Sequence, residues 1–82
     1  MDLEKLLQVI ESFKSENTDH ALDIVVEQVK DLDDIFGEMY IMAYDEEGNV
    51  VNDTLLLTIE DPAKEDMKQL RGIADALRAR LK

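Results

Sequence analysis

Between Glu38 and Glu60 the chain reads EMYIMAYDEEGNVVNDTLLLTIE, and this stretch narrows the choice of fold more than any other. Two runs rich in β-branched, aromatic and large apolar residues flank Asp45-Glu46-Glu47-Gly48. An Asp at the first position suits a type I turn, and a Gly at the last supplies the left-handed residue of the bulge beyond it. An antiparallel hairpin is expected. With Asp45 opposite Asn49, counting back pairs Ala43 with Val51, Ile41 with Asp53 and Met39 with Leu55. Strand side chains alternate between faces. One face would then hold Met39, Ile41, Ala43, Val51, Leu55, Leu57 and Ile59, and this face is the expected core. The other would hold Tyr40, Met42, Tyr44 and Val50 beside Asn52, Thr54, Leu56 and Thr58, a surface only half apolar.

Three further segments read as helices. From Asp2 to about Lys14, Leu3, Leu6, Ile10 and Phe13 recur at three and four residues, with Leu7 alongside, which is one helical face. The polar stretch Ser15–Asp19 ends that helix. Leu22, Val25, Val29, Leu32 and Phe36 then recur at the same intervals, which predicts a second helix from about Thr18 to Asp34, with Gly37 breaking the pattern. The competing reading is a strand over LDIVVEQV, whose β-branched residues favour extension; Val25 and Val26, on opposite faces, spoil its alternation. After the hairpin, Asp61-Pro62 reads as an N-cap and the first helical residue. Ala63, Met67, Leu70, Ala74, Leu77 and Leu81 continue the stripe. The expected class is α+β, one domain over residues 1–82, in the order ααββα; extension of residues 22–29 would make it αβββα.

The 82 residues leave room for one core only. The absence of cysteine excludes disulfides and thiolate chemistry. The N-terminus, MDLEKLLQVIESF, carries acids where a signal peptide has bases, and no apolar run reaches the roughly 20 residues of a membrane helix. A soluble, cytoplasmic protein is expected. Its net charge of −11 is unevenly spread: residues 1–61 hold 17 acids and 3 bases, residues 62–82 hold 3 acids and 6 bases. Such a charge opposes direct binding to nucleic acid or an anionic membrane.

Catalytic and metal signatures are weak throughout. Asp45, Glu47, Asn49 and Asp53 offer oxygens at near-alternate spacing, but an EF-hand places Gly sixth and Glu twelfth, where this stretch has Gly48 fourth and Leu56 twelfth. Turn chemistry alone accounts for Asp45 and Gly48. His20, the single histidine, has no companion set that would mark a ligand or base. With 20 acids, carboxylate pairs arise by chance, and neither a phosphate loop nor a nucleophile motif is present. No enzyme, metal or cofactor is expected.

The surfaces suggest binding instead. On the helical reading, Asp19, Asp23, Glu27, Asp31 and Asp34 line one ridge. Together with Glu46, Glu47 and Asp53, this ridge would present acids to a partner's basic surface, as an inhibitor or a nucleic-acid mimic does. Tyr40, Met42 and Tyr44, residue types common at interface cores, would extend that site. Lys64, Lys68, Arg71, Arg78 and Lys82 form a basic ridge that competes for the same acids, within the fold or across a dimer. The expected function is a non-enzymatic interaction module for another protein. The alternative is a structural or homo-oligomerising subunit, dimeric through the hairpin, whose acidity serves only solubility.

Overall fold

The structure, a computed structural model, describes residues 2–81. From Leu22 to Val29 the chain is dense in side chains branched at Cβ, which lose rotamer freedom in a helix and fit a pleated surface. Extension wins here. The order is α1 (Leu3–Glu16), β1 (Ala21–Asp31), β2 (Asp34–Tyr44), β3 (Val50–Glu60) and α2 (Lys64–Arg78), ending in a 3₁₀ turn over Ala79–Leu81. The three strands form one antiparallel meander in sequence order.

The helix expected over Thr18–Asp34 is therefore corrected. That segment is a turn over residues 18–20, then β1, the two-residue tip Leu32-Asp33 and the first residue of β2. The three-and-four spacing is coincidental, because the strand has apolar residues on both faces. Ile24 is fully buried, whereas Val25 and Val26 are each half-buried on opposite sides. The observed order matches the αβββα alternative, and ααββα is set aside.

The hairpin forms with a shifted register. Asp45 and Asn49 close the turn as expected, with the Asp45 N–H donating to the Asn49 carbonyl at 2.9 Å, and Gly48 adopts φ +85°. Register shifts then fall between Ala43 and Tyr44 and between Met39 and Tyr40. Ala43 pairs with Asn52, Ile41 with Thr54 and Met39 with Leu57. The first shift turns Val51 and Leu55 out of the expected core, leaving them 47% and 46% exposed. The second brings Leu57 and Ile59 back towards it. Each bulge adds one residue and so reverses the facing of the residues beyond it.

Both helices pack on one side of the sheet. Leu6, Ile10 and Phe13 of α1 meet Ile24, Met39, Ile41 and Ala43 of the strands and Ala74 and Leu77 of α2 in one apolar cluster. Gly37, expected as a breaker, lies within β2, where α2 crosses closely. A Cβ there would stand 2.7 Å from Met67 Sδ and 3.2 Å from Leu70 Cδ1. The helix-end chemistry also differs from expectation. Asp61 remains in the sheet ladder, donating its N–H to the Ile35 carbonyl at 2.8 Å with φ +50°. The helix consequently starts after an Ala63 N-cap, and the Asp66 carboxylate accepts the Ala63 N–H at 2.8 Å. At the other end of the molecule, buried Asn17 closes α1 by donating to the Phe13 carbonyl and accepting from Asn52 of β3. Among the described residues no helix is long and apolar enough to cross a membrane.

Candidate functional site

The two-layer arrangement, 17 Å through its shortest axis, leaves the second face of the sheet uncovered among the described residues. Strand pairing places Val25, Tyr40 and Leu55 in one row across this face. Asp23, Met42 and Asp53 form the next row towards the Asp45 turn. On the other side of the first row lie Glu27, Glu38 and Thr58, then Val29, Phe36 and Glu60. The central strand is apolar at Phe36, Tyr40, Met42 and Tyr44, all half-buried between their neighbours. Acids stand along the outer strands, with Glu38 the one carboxylate amid the central apolar row.

Polar contacts organise this surface. The Tyr40 hydroxyl donates to Glu38 Oε1 at 2.8 Å, and the Tyr44 hydroxyl lies 3.4 Å from Met42 Sδ. Acceptance by Glu38 favours the neutral phenol and raises the Tyr40 pKa; desolvation and the charges of Glu38, Glu27 and Asp53 push the same way. Glu27 sits directly opposite Glu38, and Asp31 opposite Asp34. Like charges at such positions destabilise a sheet.

The sequence-derived acidic set is divided by the fold. Glu27 and Asp31 reach the open face, since a four-residue step in a strand returns to the same side. Asp23 shares that facing but is engaged at the β1 edge, where Arg78 Nε approaches its Oδ1 at 3.0 Å. Asp34 stands at the far end beside the Leu32-Asp33 tip. Asp19, Glu46 and Glu47 gather at the opposite end, around a shallow depression shared with His20 and Asp45. Tyr40, Met42 and Tyr44 are together on the open face as expected; Leu55 replaces Leu56 there because of the bulge. Glu38, Val25, Val29 and Phe36 escape the sequence reading. For the two valines the alternation Asp23, Val25, Glu27, Val29, Asp31 is the available signal, overshadowed by the helical spacing.

Of these acids the basic ridge engages Asp23 alone among the described residues. Among the described residues only Arg78 of that ridge makes ion pairs, with Asp23 and Asp75. Lys82 lies outside the described residues. Every other Lys or Arg described lies in α1, α2 or the 3₁₀ turn, apart from Lys30 at a helix-side position of β1, so the open face carries no base among the described residues.

The turn carboxylate has a structural occupation. Asp45 Oδ1 accepts the N–H groups of Glu47 and Asn49, each at 2.9 Å, and the Asn49 bond above all lowers its pKa. Among the described residues no three His, Cys, Asp or Glu side chains converge as a metal centre would require. No protein-family model matches this chain, and no curated protein and no solved structure matches it at a significant level.

Proposed function

We propose that this chain is a non-enzymatic protein-binding module that receives a partner's basic, partly apolar surface on its uncovered sheet face. One observation carries the reading: Glu27 and Glu38 oppose each other on a half-buried apolar face, and among the described residues no Lys or Arg pairs with either, Arg78 meeting the face only at its edge through Asp23. A like-charge cross-strand pair costs stability in the free protein. A cation placed over it would remove that cost on binding, while Tyr40 and Met42 supply the desolvated contact that interface centres use. The mixture of acids and apolar rows suits a protein surface better than a groove made solely for phosphates, so the nucleic-acid-mimic form is the weaker version. The homodimer alternative is weaker too, since stacking two such faces would oppose carboxylate to carboxylate.

The test is site-specific photo-crosslinking from position 42 and, on the helix side, from position 68. A basic protein captured from position 42 alone is expected. Its yield should fall with Glu27→Lys/Glu38→Lys and on raising salt from about 0.1 to 0.5 M, where exposed charge contacts are screened. Capture from position 68, or capture indifferent to the charge reversals, would remove the sheet face from consideration.

A further inference from the structure

Granting that reading, we infer that the occupant is an amphipathic cationic α-helix that lies along β2 and completes a third layer. Strand addition is obstructed at both sheet edges. On β1, Arg78 Nε and Nη2 hold the outward carbonyl of Ile24 at 3.1 and 2.5 Å, and the Asp23 carboxylate takes the Ile24 N–H at 2.8 Å. On β3, Asn52 Oδ1 takes the Asp53 N–H at 3.0 Å, and two bulges interrupt the ladder. Bulges and occupied edge groups are the usual obstacles to an added strand.

A second copy is opposed by charge, because it would set carboxylates over carboxylates with no opposite charge to offset the Glu27–Glu38 pair. Three strands of 11 residues present a face of about 14 by 36 Å. A helix fits the same dimensions, being about 10 Å across and spanning ~27 Å in 18 residues. Its apolar stripe would rest on Phe36, Tyr40 and Met42. Lys or Arg on its flanks would reach the Glu27–Glu38 pair and Asp31 on one margin and Asp53 on the other, their stems covering apolar surface.

The probes are three synthetic peptides of about 18 residues with the same Leu and Lys content. One carries the apolar stripe, one is scrambled, and one keeps the stripe but has two central Ala residues replaced by Pro. Each is titrated into the isotope-labelled full chain, with amide shifts and calorimetry as readouts. The striped peptide should become helical, shift the Tyr40 and Met42 amides and bind about tenfold more tightly than the other two. Glu27→Lys/Glu38→Lys, and separately Asp53→Lys, should each weaken it by about tenfold as charge complementarity is lost. Equal binding of the proline or scrambled peptide, shifts confined to the β1 or β3 edge, or a self-dimer already covering the face would each overturn the helical occupant. If position 42 still captures a basic partner, only the helix is wrong; if it captures none, the binding module falls with it.

Discussion

Along β2, alternate residues live in different media. Met39, Ile41 and Ala43 have no exposed surface, and every atom added or removed there is felt by two helices. Tyr40, Met42 and Tyr44, one residue away in each case, have nothing packed above them among the described residues, and Met42 lies between Asp23 and Asp53. The inner face is filled by packing, whereas the outer face combines apolar area with carboxylates set opposite one another. Where a sheet tolerates the second condition, stability alone does not explain its residues.

The sharpest way to test this contrast is a pair of truncations on adjacent residues. Ile41→Ala should lower unfolding free energy in urea by about 2–5 kcal/mol, because it opens a cavity in a filled core. Tyr40→Ala should lower it by about 1 kcal/mol or less while abolishing binding of the striped peptide, as expected of a side chain that packs against solvent in the free state. Equal losses would mean that the outer face is part of the core.

Next in size is Gly37→Val. The close approach of Met67 and Leu70 leaves no space for its branches, so the substitution should cost about 1–3 kcal/mol by overpacking. Thermal denaturation would detect it, and a neutral result would show that α2 moves freely over the sheet. Glu27→Lys should act in the opposite direction, stabilising the protein by about 0.2–1 kcal/mol once it faces Glu38, while weakening the binding. Gain of stability with loss of binding is the combination that solubility alone does not produce.

The smallest effect is spectroscopic. Tyr40 should ionise above the ordinary tyrosine range in an absorbance titration, and Glu38→Gln should bring it back towards that range. Because its folded pKa is raised, its contribution to stability is present below about pH 10 and is lost as the pH rises through the folded value. A Tyr40 that titrates at its ordinary value would show that the Glu38 contact is absent in solution.

Much of this fold is legible in the sequence. The first helix, the Asp45–Gly48 turn and the last helix each arise from local periodicity or turn chemistry, and all three are present. The second segment misleads because helical and strand patterns overlap when both sheet faces hold apolar residues. Val25 and Val26 argue against a strand only if its second face is polar, and here that face is uncovered yet partly apolar. The bulges beside Tyr44 and Tyr40 are not legible either, since no Gly marks them, and they decide that Leu55 rather than Leu56 faces outward. Of the candidate site, hairpin parity finds the tyrosines and Met42, whereas Glu27 and Asp31 come from a four-residue spacing read on the wrong element.

The meander also has a kinetic consequence. Each strand pairs with its chain neighbour, and Arg78 returns α2 to β1. The sheet can therefore assemble from two successive hairpins, the local kind of contact that favours rapid folding. The α1 helix differs: Asn17 reaches Asn52, and Lys14 donates to the Arg80 carbonyl at 2.8 Å, so its attachments span most of the chain. Docking of α1 should thus be the late event, and its release the first opening of the native protein. In hydrogen exchange, the amides of central β2, bonded to strands on both sides, should outlast those of α1.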